Sequence, residues 1–174
     1  MSRISQARVQ ALPDLISTEA FEFLLGTLPI AGAVPELTVK CLSTSIPGFS
    51  NEAYEANLHS HVRRFRGRKM YSRDLAATFL ESYKSDTTTA FRSWHEYIVG
   101  TNSATSSGYI ADYGINPDLV LYDMTGAEID RISFFRFFLK ESPDIQVTGE
   151  SSTLMQMETT FSYDYWKSAN TTIL

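Results

Sequence analysis

The alternation of apolar and polar residues is most regular at 74–99, where it predicts a strand followed by a helix. Leu75, Ala77 and Phe79 recur at every second position, and the residues between them are also largely apolar. This pattern is typical of a short strand that is covered on both faces. Small polar residues at 82–86 then interrupt the alternation and separate the strand from the helix.

The helix is predicted from three large side chains, Phe91, Trp94 and Ile98, which recur at i, i+3 and i+7 on one helical face. Asp86 suits the N-cap, because its carboxylate can accept hydrogen bonds from the free amides of the first turn. Gly100 suits the C-terminus, where glycine adopts the left-handed conformation at little cost. We expect this helix and the preceding strand to fold onto the same sheet.

Two further strands are predicted before this pair, over 18–28 and from 37 to about 45. Their inward-facing residues are expected to be Phe21, Phe23 and Leu25 in the first and Leu37, Val39 and Cys41 in the second. The tetrapeptide Ile-Pro-Gly-Phe follows at 46–49. Proline at its second position and glycine at its third predict a type II turn.

The polar stretch 51–72 favours an extended, protruding hairpin. The period of a strand is met by Ala56, Leu58, Ser60 and Val62. A helix stays open as an alternative, because a spacing of mostly four residues is met by Tyr54, Leu58, Val62 and Phe65. Gly67 is the position at which the hairpin is expected to turn.

Residues 119–124 and 132–139 predict a second hairpin around Gly126, with Pro143 ending its second strand. The stretch 152–166 predicts a long strand with one apolar face and one polar, acidic face. Such a strand belongs to a sheet that is covered on a single side. The sheet would have open edges, and pairing with copies of itself around a ring would remove them.

Composition and charge add an asymmetry to this picture. The chain has 174 residues, 43% of them apolar, which fits one domain with a sizeable core, and its 13% aromatic content favours strands. The segment 51–74 has six basic and three acidic residues and a net charge of +3. Since the whole chain has a net charge of −5, the rest of the chain has a net charge of −8. A basic arm on an acidic body can contact the acidic surface of an identical neighbour.

Candidate chemistry is sparse. His59 and His61 would share one face of a strand, but two ligands do not make a zinc site, and an exposed pair is favoured. We interpret His95 as a surface or partly packed residue, and the single Cys41 as a small core residue that excludes an internal disulfide. No phosphate loop, dinucleotide fingerprint or nucleophile elbow is present. We expect no catalytic residue, no metal, no cofactor and, without about 20 consecutive apolar residues, no membrane partner.

The strongest electrostatic feature is a basic run of five residues within seven positions, namely Arg63, Arg64, Arg66, Arg68 and Lys69. Three interpretations are open: a contact with an acidic copy of the same protein, a solvated loop, or a nucleic-acid contact. The net charge of −8 outside this segment favours the contact with another copy.

The order of these elements resembles a known family. The resemblance is carried by Phe-Glu-Phe-Leu-Leu at 21–25, the Ile-Pro-Gly-Phe turn, a long polar excursion, the strand and helix, the hairpin at 118–144, and a closing strand that ends in Phe161-Ser-Tyr-Asp-Tyr-Trp. Over about 21–167 the chain is similar to the tail tube proteins of contractile-tailed bacteriophages. The hairpin followed by the closing strand is the most specific part.

The resemblance implies a mainly β fold with one helix, a small β-barrel or sandwich flanked by the α-helix and carrying long extended arms. Members of the family form six-membered rings, with a β-barrel continuous across each ring, and the rings stack into a hollow tube. The implied partners are the protein itself, the tail sheath protein, and baseplate and tail terminator proteins. DNA would pass through the lumen without specific binding. The protein would be a structural, non-enzymatic part of the virion, assembled in the host cytoplasm.

The resemblance also assigns roles along the chain. Residues 1–174 would form a single tail-tube domain with an N-terminal arm at 1–17, an inter-ring loop or hairpin at 50–73 that carries the basic run, and a C-terminal tail at 168–174. The acids expected to face the lumen, where like charge keeps DNA from adsorbing, are Glu150, Glu158 and Asp164. The expected core residues are Phe21, Phe23, Phe79, Phe91, Trp94, Ile98 and Phe134.

Three alternatives remain. A tube protein of type VI secretion would have the same architecture and a protein cargo. A baseplate hub or tube-initiator protein would differ in its copy number in the particle. A monomeric ligand-binding barrel or small enzyme would have a closed polar pocket, and its own chain would cap the edges of its sheets.

Overall fold

The computed structural model describes residues 20–30, 37–59, 61–82, 84–100, 108–145 and 154–170, so the predicted arm at 1–17 and Glu150 lie outside the described residues. The described strands are β1 (Phe21–Leu24), β2 (Cys41–Thr44), β3 (Phe49–Leu58), β4 (His61–Tyr71), β5 (Asp74–Leu80), β6 (Asp118–Tyr122), β7 (Glu128–Phe135), β8 (Phe138–Leu139), β9 (Asp144–Ile145), β10 (Gln156–Ser162) and β11 (Tyr165–Ser168). The described helices are α1 (Leu37–Lys40), α2 (Asp86–Val99) and α3 (Ile110–Tyr113). None of these helices has the length and apolar character needed to cross a membrane.

The strands form two sheets and one separate hairpin, and every pairing is antiparallel. The first sheet has the order β1-β6-β7-β11. The second has the order β2-β5-β10-β8, with β9 also paired to β10, while β3 and β4 pair only with each other. Within the described residues neither sheet closes on itself, so the structure fits the predicted sandwich and not a closed barrel.

The two sheets and α2 share one core of aromatic rings. Phe23 of the first sheet meets Phe161 of the second edge to face, with 6.3 Å between ring centroids. Phe91 of α2 lies 5.8 Å from the same Phe161 ring. Edge-to-face rings are stabilised beyond the area they bury. Of the predicted core residues, Phe21 and Ile98 pack at the margin of this core, and those with no exposed surface are Phe23, Phe79, Phe91, Trp94 and Phe134.

The predicted helix is present as α2, and its C-terminus is the predicted one. Gly100 has a φ of 70° and donates its N–H to the carbonyl four residues earlier at 2.7 Å. The N-terminus differs, because Ser85 is the N-cap and makes no side-chain cap bond, while Asp86 is the first helical residue. The prediction of Asp86 as the N-cap is therefore wrong. Its carboxylate nevertheless accepts from the N–H of Thr87 at 2.9 Å, as expected, and Glu81, just after β5, accepts from the amides of Thr87 and Thr88.

The segment that was predicted as a strand from 37 begins with the helical turn α1. Helical spacing turns Val39 away from Leu37, so Val39 is 82% exposed and the prediction that it points inward is wrong. The type II turn at 46–49 is also absent. That turn needs a positive φ at Gly48, which the structure does not have. Pro47 is instead buried in the connection between β2 and β3.

Two other strand predictions need correction. The outer face of β5 is not covered, since Ala76 is exposed and Thr78 and Leu80 are only half-buried. The apolar residues between the inward positions are small or at the end of the strand, and they tolerate that exposure. The first strand, predicted over 18–28, ends at Leu24, because Gly26 has a φ of 71° and turns the chain.

The two longest predicted strands each divide between the sheets. The strand predicted at 132–139 breaks at Arg136, whose φ is 53°, and its last residues enter the second sheet as β8. The strand predicted at 152–166 is divided into two strands, β10 in the second sheet and β11 in the first. Ser168, placed in a C-terminal tail by the sequence, is the last residue of β11. A period of two continues whichever sheet a strand enters, so the pattern did not reveal these crossings.

Candidate assembly site

The hairpin β3–β4 stands apart from both sheets and exposes nearly all of its residues. Its pairing runs from Phe49 opposite Tyr71 to Leu58 opposite His61, so the prediction of a hairpin at 51–72 is confirmed and the helical alternative is wrong. The sequence predicts the turn at Gly67, but the chain reverses between Leu58 and His61, so that position is wrong. An isolated two-stranded hairpin is marginally stable in water, so this one needs support from its base or from a partner.

Gly67 has a different role, inside a bulge of β4. The pairing register shifts between Asn51 and Ala53, opposite this glycine. A Cβ at Gly67 would lie 2.7 Å from the carbonyl oxygen of Glu52 and 2.9 Å from Cε2 of Tyr54. The glycine is therefore required by close packing against the opposite strand and not by a turn.

The basic run lies on β4, and its members are not equivalent. Nε of Arg64 donates to Glu55 at 2.7 Å, and Nε of Arg68 donates to Glu52 at 3.1 Å. Arg63 and Arg66 are exposed, and no carboxylate among the described residues lies within 4.0 Å of either. These two guanidinium groups are therefore the ones left to contact a partner.

The same hairpin carries an apolar stripe. Tyr54 and Phe65 lie directly opposite each other, and Leu58 is on the same face because it is four positions from Tyr54 along β3. Their exposed fractions are 57%, 50% and 49% in that order. Arg63, opposite Ala56, lies on the face of this stripe, whereas Arg66, opposite Ala53, lies on the other face. The face with Arg63 and the exposed aromatic rings is suited to docking on an acidic protein surface.

The fifth basic residue, Lys69, is directed toward its own chain. Its Nζ lies 3.9 Å from the ring centroid of Phe49 and 4.8 Å from that of Tyr71, the pair that closes the base of the hairpin. It also lies 5.7 Å from the ring of Trp166 on β11. The sequence grouped Lys69 with the four arginines, whereas the structure places its ammonium group among these rings.

The outward face of the second sheet is a shallow, mostly uncharged surface. Thr78 lies opposite Glu158 on one side and Ser43 on the other, so the three side chains share this face. A shallow groove here is lined by Ser43, Thr44, Ser45, Ala76, Ala77, Thr78 and Glu158.

The predicted lumen acids do not form one cluster. Glu158 is exposed on this face, and no Lys or Arg nitrogen of the described residues lies within 4.0 Å of its carboxylate. Asp164 lies past the end of β10, where its Oδ2 accepts from Arg136 Nη1 at 3.3 Å. Glu150 is outside the described residues. Asp74, on the same face as Glu158, is paired with Lys140 at 2.7 Å.

A network of polar groups joins the first turn of α2 to the start of β2. Lys40 Nζ donates to Oδ1 of Asp86 at 2.7 Å, and the Ser82 hydroxyl donates to the same oxygen at 2.5 Å. The hydrogen bond from Lys40, followed by that from Ser82, holds the pKa of Asp86 well below its usual range. The network fixes the position of β2, which lies at the edge of its sheet.

Cys41 and the two histidines of the hairpin are the remaining polar candidates from the sequence. Burial raises the pKa of the Cys41 thiol to about 12, which makes it a poor nucleophile. His59 and His61 are exposed next to the reversal of the hairpin. Among the described residues, no three His, Cys, Asp or Glu side chains lie together as a metal ion would require.

Both sheets end in strands that are paired on one side only, as far as the described residues show. β2 is the least protected of these edges, because Cys41–Thr44 contains no charged residue and no proline, whereas β1 and β11 each contain a charge and β8 has only two residues. Leu42 is the extra residue of a bulge in β2 and is 42% exposed. Val39 and Ile46, on either side of the strand, are also exposed. This edge is open to pairing with another chain.

Sequence reasoning missed Glu81, Lys40 and Trp166. Glu81 precedes a helix start at a distance that no capping pattern covers, and Lys40 meets Asp86 across 46 positions, so neither carried a local signal. Trp166 did carry a local signal, because this bulky aromatic residue interrupts the alternation at the end of the closing strand.

Comparison with known proteins matches no family model and no curated protein. Solved structures do match. A chain in the PVC sheath/tube terminator of an extracellular contractile injection system, in the extended state, is 13% identical with a TM-score of 0.65, over 91% of this chain and 99% of that one. A chain in the PVC sheath-tube complex is 11% identical with a TM-score of 0.58, over 95% and 98%. A chain in the anti-feeding prophage baseplate is 9% identical with a TM-score of 0.60, over 90% and 97%.

At these identities the likeness establishes the fold and nothing finer. It extends over nearly the whole length of both chains in each comparison, so it is not confined to one sheet or to the helix. The chain has the tube-protein fold of contractile injection systems, which is the fold that the resemblance implied.

Proposed function

We propose that this protein is the tail tube subunit of a contractile-tailed bacteriophage, and that it performs no chemistry. Six copies form a ring, the rings stack into a hollow tube inside a sheath, and the tube conducts the genome during ejection. The observation that carries the proposal is the whole-length likeness to chains of sheath-tube and terminator assemblies. The unprotected edge of β2 supports the lateral pairing that a ring needs.

In this proposal the outward face of the second sheet lines the lumen. Glu158 would then form one carboxylate ring in each layer, and the hydroxyl and alanine side chains around it would fill the space between carboxylates. Like charge raises the cost of DNA adsorption to such a wall, so the genome slides without sticking. Asp164, which is paired with Arg136, and Glu150 are assigned to the same wall in this proposal.

The hairpin β3–β4 would contact the next ring. Its five basic and two acidic residues give a net charge of +3, against −8 for the rest of the chain. The contact is proposed to rest on Arg63 and the apolar stripe of Tyr54, Leu58 and Phe65, which share one face, and on Arg66 on the other face. Neither arginine has a carboxylate partner among the described residues. Arg64 and Arg68 already have partners within the hairpin and would contribute less.

Electron microscopy of the purified protein at rising concentration tests this proposal. The wild-type protein should form hollow rods, and Arg66→Glu should raise the concentration needed for rods at least tenfold, about 1.4 kcal/mol per subunit. Arg92→Glu is the matched control, since it reverses one exposed charge on α2 and should leave assembly unchanged. A wild-type protein that stays monomeric at every concentration, or equal loss of rods in both variants, would overturn the proposal.

A protein at the end of the tube is a second candidate. Likeness to chains in the terminator and baseplate assemblies, with TM-scores of 0.65 and 0.60, favours it as much as the sheath-tube complex favours the main subunit. Copy number separates the two. A main subunit is present in every ring of the particle, whereas a terminator or initiator protein occurs in a single layer and forms rings that do not extend into rods.

A further inference from the structure

The ammonium group of Lys69, an exposed residue, lies within 6 Å of three aromatic rings that belong to two different parts of the fold. Phe49 and Tyr71 are the first and last paired residues of the hairpin, and Trp166 lies on β11 of the first sheet. Nζ lies 3.9, 4.8 and 5.7 Å from their ring centroids in that order. A cation at these distances is attracted by the quadrupole of each ring. Lys69 therefore bridges the hairpin to the body.

The rings also contact one another around that ammonium group. Phe49 and Trp166 have centroids 5.9 Å apart, and Tyr71 meets Trp166 edge to face at 6.3 Å. The buried Nε1 of Trp166 has no acceptor among the described residues. Among the described residues, the indole is therefore held by ring contacts and not by a hydrogen bond, and two of these contacts are with the hairpin residues Phe49 and Tyr71.

A second link joins the same two parts just past the end of the hairpin. The Ser72 hydroxyl and the Tyr163 hydroxyl are 3.0 Å apart, and Tyr163 donates its N–H to the carbonyl oxygen of Arg73 at 2.9 Å. Tyr163 is buried where the chain passes from the second sheet to the first. The hairpin is thus anchored at its base from two sides, and Lys69 is the cation of one anchor.

We infer that Lys69 is a positioning residue that locks the hairpin at one angle to the body, and not one of the charges that contact a neighbouring ring. A two-stranded hairpin without a covered face would otherwise sample many orientations. Holding it fixed reduces the ordering cost of each contact that it makes. The consequence for stacking rests on the proposed function, whereas the lock itself does not.

Hydrogen exchange of the hairpin amides tests the lock in the unassembled protein at low concentration. Lys69→Met keeps the length of the side chain and removes its charge, and it should speed exchange in β3 and β4 about fivefold. Lys69→Arg should restore protection, since a guanidinium group also stacks on aromatic rings. Emission from Trp166 should shift to the red in Lys69→Met, with the fully buried Trp94 as an unchanged background.

Lys167→Met is the matched control. Lys167 also lies over two rings, with its Nζ 5.4 Å from Phe135 and 5.8 Å from Tyr165, but neither ring belongs to the hairpin. It should leave exchange in β3 and β4 unchanged. Unchanged hairpin protection in Lys69→Met would overturn the lock.

Rod formation by the same variants separates the lock from the proposed function. Faster exchange together with fewer rods supports both. Faster exchange with rods formed as in the wild type keeps the lock and counts against the role of the hairpin in stacking. Normal exchange with loss of rods overturns the lock and gives Lys69 a direct intermolecular contact.

Discussion

Glu81 is the residue that starts α2, although it lies five positions before the first helical residue. Its Oε1 accepts from the N–H of Thr87 at 3.2 Å, and its Oε2 accepts from the N–H of Thr88 at 2.7 Å and from the hydroxyl of the same threonine. Ser85 is in the left-handed conformation and makes no cap of its own. The amide of Thr87 also donates to Asp86 Oδ1 at 2.9 Å, so the amide that depends on Glu81 alone among the described residues is that of Thr88.

We expect Glu81→Ala to lower the free energy of unfolding by about 1–2 kcal/mol, the range for loss of a helix cap. Glu81→Gln keeps an acceptor and should cost about half as much. Urea unfolding followed by circular dichroism measures both. Glu141→Ala is the control, because the Glu141 side chain is exposed and forms no ion pair among the described residues. Equal stability of the Ala variant and the wild type would show that Glu81 is not the cap.

The same carboxylate gives a pH dependence. Burial alone would raise the pKa of Glu81, but the hydrogen bonds from Thr88, Ser82 and Thr87 outweigh it and lower the pKa below its ordinary 4.5. A carboxyl group whose pKa is lowered on folding stabilises the fold at a pH above its pKa in the unfolded chain. That contribution is lost as the pH falls through its pKa in the folded protein. The wild type should lose stability below about pH 4.5, and Glu81→Gln should lose less over that interval. Parallel curves for the two proteins would contradict this.

At the scale of elements, the hairpin β3–β4 depends on a glycine for a reason of packing. A methyl group at Gly67 would meet the Glu52 carbonyl oxygen at 2.7 Å, a backbone atom that cannot move without disturbing the ladder. We expect Gly67→Ala to open the hairpin near the bulge, with exchange of the β3 and β4 amides at least tenfold faster. The midpoint of thermal unfolding of the body should change by less than about 2 °C, since the hairpin is outside the core.

Gly48→Ala is the control for this change. Its added Cβ would meet no heavy atom within 4 Å, and its φ lies outside the left-handed region. The variant should therefore exchange like the wild type. A Gly67→Ala protein with the same hairpin protection as Gly48→Ala would mean that the strands separate enough to admit a methyl group.

Elements whose signal was local were predictable from the sequence. Gly126 ends the turn between β6 and β7 with a φ of 82°, and the Asp123 carboxylate closes that turn by accepting from Thr125 and Ala127. The helical face with Phe91 and Trp94 was equally predictable, because its residues recur at helical spacing. Both predictions depended on residues within one or two turns of each other.

Elements decided by distant contacts were not predictable. Whether 152–166 stays in one sheet depends on Tyr163, which is held by Ser72 and Arg73, about 90 positions earlier. At the candidate site, the basic run identified the hairpin, but the pairing of Arg64 and Arg68 within it and the contact of Lys69 with the Phe49 ring depend on cross-strand register. A one-residue slip of that register would exchange the arginines between faces.

At the scale of the whole molecule, the second sheet has two different open edges in the described residues, β2 at one end and β8 with β9 at the other. Two unlike edges pair head to tail, and a head-to-tail contact closes into a ring when its rotation divides a full turn. β2 is held in place by the Lys40–Asp86 pair, so it is ordered before any neighbour arrives. In the proposed ring, this edge would be the one that pairs with a neighbour.

Leu42→Lys tests this edge directly, because a lysine on an edge strand opposes pairing with another strand. The substitution adds a charge at a position that is 42% exposed, so the single copy should fold with its stability unchanged within about 0.5 kcal/mol. We expect it to remain monomeric in native mass spectrometry at concentrations where the wild type forms rings. Met124→Lys, at an 84% exposed position in the β6–β7 turn, is the control and should assemble normally. Rings from Leu42→Lys at the wild-type concentration would assign lateral pairing to the edges of the first sheet instead.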